Sequence, residues 1–439
     1  MRRIDRTQLI APARVLDLEL TAADDAVDEI LAVEQYNSVW CLSRIDGIPQ
    51  DISFWNITDD AKISIQALRN QLRVERAMGE STVQVLKPST QKSISTDLTI
   101  AICTRDRPAG LRATLASLQH QTDSNFRVLV VENGSNPRGS AAVVEEVGLP
   151  RCEYVIEPRP GLSRARNRGL GAVSTELVAW IDDDEITDAD WVCRLKQGFA
   201  HEANPAAVGG VMLPAELEFE AQVRFEQYGG FNKGRGMASE VLRKGSPSVV
   251  SPLYPLPPFG PGGNMAFQTE SLRSVGGFDP CLGAGTRTHG CEETRALSLL
   301  LLAGDAVLHW PAAITWHTHR REMTALRKQF YGYSAGTSAF YASMIRSRPM
   351  AAFDLLRLVP HAMRDFRNGS DNLRSGHLPD DFPAELLKAA RRGLLEGAFM
   401  YVIEAIKDRH QPVPDARDGA LVIEGALARE DVLSDVDHS

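Results

Sequence analysis

The sequence predicts an α/β fold: a doubly wound, mostly parallel sheet, preceded by a small N-terminal α+β region and followed by a C-terminal helical extension. Three observations carry this. Apolar strand-like runs alternate with helical patterns between residues 97 and 181. Each run is near-continuously apolar rather than alternating, as in a parallel sheet covered on both faces. From Thr324 to about Asp408 the pattern is helical.

The elements follow in order. Residues 1–95 form a first region, in which Ser38–Trp55 reads as two short strands around an Asp-Gly-Ile-Pro turn and Ala61–Arg76 as a helix. Met78–Thr96 is polar and rich in turn residues, a linker. Asp97–Thr104 is a buried strand, Arg107–Gln121 a helix with proline at its start, and Phe126–Asn133 a second strand. A short helix near Ser140–Val147, a strand at Glu153–Ile156, a helix at Ser163–Gly171 and a strand at Leu177–Ile181 complete the alternation. Roughly 190–335 is less regular, with Gly/Pro-rich loops at Gly260–Asn264 and Gly276–Gly290, a helix at Glu292–Ala303 and a strand at Ala313–His317. The expected boundaries are 1–95 for the N-terminal region, 96–335 for the central domain, 336–408 for the helical extension and 409–439 for a polar, disordered tail.

At 439 residues the chain suits two or three domains. Its 43% hydrophobic and 24% charged residues are those of a globular protein, and a net charge of −9 argues against nucleic acid as a partner. The six cysteines form no C-x-x-C pair, so neither a zinc framework nor a disulfide scaffold is expected, only thiols in a reducing compartment. No apolar core follows the opening MRRIDRTQLI, and runs such as Leu297–Ala303 fall short of the roughly 20 residues a bilayer needs. The expectation is a cytoplasmic protein, with peripheral contact at the inner face of the membrane left open.

Ligands of open α/β sheets bind beyond the carboxyl ends of the strands. Those ends read Thr104-Arg105-Asp106, Glu132-Asn133-Gly134-Ser135 and Asp182-Asp183-Asp184-Glu185, three polar clusters converging on one crevice. Four successive carboxylates repel one another, so they face solvent or meet a cation. Carboxylates with positions left for phosphate are how Mg²⁺ or Mn²⁺ is held. The alternatives are a solvated loop, or a cap on the helix that starts near Asp188.

The segments TIAICTRDRP, VLVVENGS, GLSRARNRG and VAWIDDDE resemble the donor half of a family 2 glycosyltransferase with the GT-A fold. Asp182–Asp184 resembles that family's DxD motif. Pro261–Phe267 (PGGNMAF), Val275–Thr286 (VGGFDPCLGAGT), Gly290–Gly304 and Trp316–Arg320 (WHTHR) resemble its later motifs, in the expected order. The match spans about 97–335. The resemblance implies a nucleotide-sugar donor, UDP-linked by expectation, and inversion at the anomeric carbon. It also implies a Mn²⁺ or Mg²⁺ cofactor and a hydroxyl acceptor in polysaccharide, glycolipid or cell-surface glycan synthesis.

It further implies roles. Asp184 binds the metal, Asp182 contacts the metal or ribose, and Asp183 lies with them. Thr104, Arg105, Arg166 and Asn167 lie beside the nucleotide-sugar, and Glu132 stands where an aspartate usually contacts the base. His317 completes the metal site, with a packed strand histidine as the alternative. Gly263 and Asn264 lie on the acceptor side, and His319 and Arg320 are candidates for the diphosphate. The base is the second acid of Glu292-Glu293, whose position at a helix start favours the ionised form. The chain departs from the family where Glu-Asp becomes Glu-Glu, where Cys291 replaces glycine, and at Glu132. Two other readings stand beside this one: a nucleotidyltransferase, for which CTRDRPAG is a poor phosphate loop, and a non-catalytic binding protein with a decayed site.

Overall fold

The structure, a computed structural model, describes residues 2–22, 30–31, 35–57, 63–78, 97–134, 137–246, 249, 251–254, 257, 259–367 and 378–409. Of the expected linker at 78–96 all but Met78, which caps the first helix, and of the expected tail at 409–439 all but Arg409, which is helical, lie outside these residues, as does Ser135.

The N-terminal region contains strands β1 (Arg2–Ile4), β2 (Ala13–Glu19), β3 (Ile30–Leu31), β4 (Ser38–Ile45), β5 (Ile48–Asn56) and β6 (Ile63–Ser64), then helix α1 (Ile65–Ala77). Four of them form a sheet in the order β1-β5-β4-β2. The β4–β5 hairpin turns at Asp46 and Gly47, with φ of 50° and 71°. Both values are left-handed, as a two-residue turn matching strand twist requires. This small sheet is not separate from the rest. Trp40 and Leu42 of β4 share a core with Val211, Leu213 and Ile314 of the central domain, and Arg44 pairs with Asp188.

The central domain runs β7 (Leu98–Thr104), α2 (Pro108–Leu118), β8 (Arg127–Glu132), α3 (Pro137–Val147), β9 (Cys152–Ile156), α4 (Leu162–Ala172), β10 (Leu177–Asp182), β11 (Glu185–Thr187) and α5 (Trp191–Phe199). It continues with β12 (Ala207–Pro214), α6 (Glu220–Gln227), β13 (Glu240–Leu242), β14 (Asn264–Gln268), α7 (Thr269–Ser274), α8 (Glu292–Ala303) and β15 (Val307–His317). One nine-stranded sheet has the order β11-β15-β12-β14-β10-β7-β8-β9, with β13 paired to β15. The pairs β10–β7, β7–β8 and β8–β9 are parallel, as the alternating sequence pattern requires. β12–β15 is parallel too, and β14 runs antiparallel between the two parallel parts. Both faces are covered. Leu111, Leu115 and Leu195 belong to the core on one side, and Ala165, Leu297 and Leu300 to the core on the other.

Strands β12, β13 and β14 and helices α5, α6 and α7 fill the stretch whose pattern looked irregular. β12 (AVGGVMLP) is buried throughout, so it carries no alternation to read, and it holds two glycines. A Cβ at Gly210 would collide with the carbonyl of Ala313. β15 begins at Val307 rather than Ala313, and it runs through Pro311 because the proline sits where its register with β12 shifts.

The C-terminal helices are α9 (Met323–Ser347), α10 (Ala351–Arg367) and α11 (Ala384–Arg409). The expected boundary at 335/336 falls inside α9, which runs unbroken through it. Gly393 and Gly397 let α11 lie against α9, since a Cβ at either would meet the carbonyl of Tyr331 or Ala335. Among the described residues no helix is long and apolar enough to cross a membrane.

Candidate active site

Because β7, β8 and β10 are parallel neighbours, their carboxyl ends stand together. Thr104 pairs in register with Glu132, and Asp182 with Cys103. Beyond them opens a cavity of about 850 Å³. Of the expected residues it is lined by Thr104, Arg105, Arg166, Asp182, Asp183, Asp184, Gly263, Glu292, Glu293, His317 and Arg320. Residues of α9, among them Lys328, Tyr333 and Thr337, close its outer side.

The acidic run forms the turn between β10 and β11. It does not cap a helix, since β11 intervenes and α5 begins only at Trp191. Asp183 is buried and accepts a hydrogen bond from Thr104 Oγ1 at 2.7 Å. Arg107 Nη1 donates to Asp183 Oδ1 at 3.1 Å and to Asp184 Oδ2 at 2.8 Å, so a guanidinium meets the repelling carboxylates. Burial pushes Asp182 up to about 6, Asp184 and Asp183 add to the shift, and the Arg166 guanidinium opposes it.

Asp184 Oδ2 stands 3.9 Å from His317 Nε2 across the cavity rim. Among the described residues no group of three or more His, Cys, Asp or Glu side chains is gathered tightly enough to hold a metal alone. One carboxylate oxygen, one imidazole nitrogen and the neighbouring Asp182 are a donor set that fits Mn²⁺ or Mg²⁺ if phosphate oxygens supply the rest.

Opposite lies the Glu-Glu pair in the first turn of α8, preceded by Cys291 in a left-handed conformation (φ 67°). The two carboxylates are not equivalent. Glu292 is buried and takes a 2.7 Å ion pair from Arg166 Nη1, while Arg166 Nη2 donates to the carbonyl of Gly262 at 2.9 Å. Burial, then the adjacent Glu293, pushes Glu292 up to about 7 against the pull of Arg166. Glu293 is half-buried on the cavity wall beside Gly262 and accepts from Thr294 Oγ1 at 3.1 Å.

His317 is buried, and its burial with His319 beside it pushes it down to about 3, so it is a neutral imidazole at neutral pH. Its Nδ1 is 3.0 Å from Nδ1 of His319, whose Nε2 is 3.2 Å from Glu226 Oε1. Trp40 Nε1 in turn donates to Glu226 Oε2 at 3.1 Å.

Four expected residues lie behind the cavity wall instead of on it. Glu132 is fully buried, accepting from Ser140 Oγ and the Gly134 amide, so its carboxylate is engaged within the protein rather than open to a base. Asn167 bridges the carbonyl and amide of Phe278. Asn264 is spent on Trp191 Nε1 and the carbonyls of Val211 and Ala313. His319 is enclosed between His317 and Glu226, which leaves Arg320 as the diphosphate candidate on the cavity. Asn133, read only as part of a strand-end cluster, lines the cavity, and sequence reading missed Arg107, Lys233 and the α9 side chains. Arg107 was findable, as the second of two cations, after Arg105, between the first strand end and its helix. Lys233 and the α9 residues reach the cavity only through tertiary packing.

Residues 99–275 match the family model described as Glycosyl transferase family 2. A pre-mycofactocin glycosyltransferase of Mycobacterium tuberculosis is 29% identical over 285 residues, covering 62% of this chain and 54% of the relative. A glucosyl-dolichyl phosphate glucuronosyltransferase of Haloferax volcanii is 23% identical over 197 residues, covering 42% and 57%. The chain thus spans about half the length of these curated relatives. A mannosyltransferase from Pyrobaculum calidifontis, solved with GDP-Man and Mn²⁺, superposes with a TM-score of 0.43 at 16% identity, covering 79% of this chain and 84% of that one.

Proposed function

Since residues 99–275 belong to glycosyl transferase family 2, we propose that this chain transfers a sugar from a nucleoside-diphosphate donor to an acceptor hydroxyl, with inversion and with Mn²⁺ or Mg²⁺. The carrying observation is that one cavity is lined both by the Asp184–His317 pair and by a carboxylate, Glu293, that has no ion pair among the described residues, whereas its neighbour Glu292 pairs with Arg166.

The donor diphosphate lies against Asp184 and His317, with Arg105 and Arg320 beside it. Asp184 and His317, with Asp182, would hold a divalent cation there, which would supply charge neutralisation for the leaving diphosphate. Glu293 takes the proton of the acceptor hydroxyl as it attacks the anomeric carbon. Glu292 is not the base: its ion pair holds Arg166, which ties the Gly262 carbonyl and Asp182 together and so fixes the loop beside Glu293. The acceptor enters on the side of Tyr333 and Lys328 and belongs to polysaccharide, glycolipid or cell-surface glycan assembly. UDP-sugars are the first donors to test.

A thermal-shift screen of UDP-, GDP- and dTDP-sugars with Mn²⁺ tests the reading. One donor class should raise the melting temperature and release its nucleoside diphosphate. If none binds and none is hydrolysed, the proposal fails.

A further inference from the structure

The cavity does not explain the buried polar chain that runs away from it. Trp40, Glu226, His319 and His317 are 1%, 7%, 3% and 7% exposed. They form one hydrogen-bonded row from the N-terminal sheet to the cavity rim. Buried polar groups in such a row leave few choices of proton position.

The positions follow from donor and acceptor chemistry. Indole N–H only donates and an ionised carboxylate only accepts. Trp40 therefore occupies Glu226 Oε2, and His319 Nε2 must carry the hydrogen that meets Glu226 Oε1. With one hydrogen per ring, and that of His319 on Nε2, its other nitrogen, Nδ1, is an acceptor. It faces His317 Nδ1 at 3.0 Å, so that nitrogen carries the shared hydrogen. What remains is a bare Nε2 on His317. It stands 3.9 Å from Asp184 Oδ2, beyond hydrogen-bond length, as expected of two lone pairs that face each other.

The rings are held as well as the protons. Phe231 packs edge-on against both imidazoles, at 5.2 Å and 5.5 Å between centroids, and Phe225 against His319 at 5.0 Å. A Cβ at Gly230 (φ 57°) would land on Glu226 Oε1, so the glycine keeps that oxygen available.

We propose that Trp40–Glu226–His319–His317 is a positioning relay that fixes His317 as the Nδ1–H tautomer and aims its Nε2 lone pair into the cavity. Through Trp40 the N-terminal region thus helps present a ligand to a divalent cation. The proposal rests on the reading of His317 as a ligand given above. Outer partners of this type orient a ligating histidine and set its tautomer, and losing them typically costs about 10–100-fold in metal affinity.

The first test needs no metal. In full-length protein labelled with ¹⁵N at histidine, long-range ¹H–¹⁵N spectra should show His317 protonated at Nδ1 only and His319 at Nε2 only. A His317 protonated at Nε2 overturns the relay. The second test measures Mn²⁺ affinity by electron paramagnetic resonance in the presence of UDP. Glu226→Gln should weaken binding by about 10–100-fold and redistribute the His317 tautomers. Trp40→Phe, which keeps an aromatic ring in the core, should act in the same direction by less, so a poorly folding Glu226 variant does not end the test. Wild-type affinity and tautomers in both variants overturn the relay while leaving the metal reading intact. If wild-type protein binds no Mn²⁺ with UDP, the metal reading falls, and the tautomer spectra still decide the relay.

Discussion

Replacing Glu293 by glutamine separates the two halves of the Glu-Glu pair. The amide keeps the shape of the side chain and can still accept from Thr294 Oγ1, but it cannot take a proton. Loss of a positioned base typically costs 10²–10⁴-fold, which is about 3–5 kcal/mol of barrier. Glu293 is only half-buried, so the melting temperature should barely move. Glu292→Gln works on different physics. It turns the 2.7 Å bond from Arg166 into one with a neutral acceptor, a loss of about 1 kcal/mol, and at the same time relieves repulsion with Glu293. Its turnover should stay within about tenfold of wild type. Donor hydrolysis, with water as acceptor, reads both variants, and single-turnover kinetics isolate the chemical step. If Glu292→Gln abolishes turnover and Glu293→Gln does not, the base lies one residue earlier and the argument from the ion pair is wrong.

Stability should also respond to pH. Glu292 binds its proton more tightly folded than unfolded, so the apo protein should lose stability as pH rises from about 4.5 to about 7. Asp182, up to about 6, adds in the same direction, with Arg166 opposing both. Glu292→Gln should flatten that slope in urea titrations, and an unchanged slope would contradict it. Gly397→Ala places a methyl group against the carbonyl of Ala335. It should therefore cost about 1–3 kcal/mol and weaken binding at the cavity wall that α9 provides, with denaturant midpoint and donor affinity as the readouts.

The parallel half of the sheet was legible because its strands are apolar without interruption and its helices start where Pro108 allows. The convergence of Thr104, Arg105 and the Asp182–Asp184 turn followed from topology alone, since parallel neighbours end on one side. What stayed hidden was whatever tertiary packing decides. Glu132 stands at a strand end like Asp182, yet Ser140 of α3 takes its carboxylate. Asn264 and His319 belong to motifs that line the cavity, but their side chains point into the protein, and spacing does not tell the two directions apart. Trp40 lies 186 residues from Glu226, and no local pattern joins them. The segment around β12 hid because a strand buried on both faces, with glycines inside, has neither period.

Calorimetry of the nucleoside diphosphate selected in the donor screen, with Mn²⁺ and then with chelator, tests the central claim most directly. The account predicts tight binding with Mn²⁺ and a loss of at least about tenfold with chelator, with Asp184→Asn reproducing the loss in the presence of metal. Equal affinity in all three conditions would contradict the claim that Asp184 and His317 hold the cation against the diphosphate.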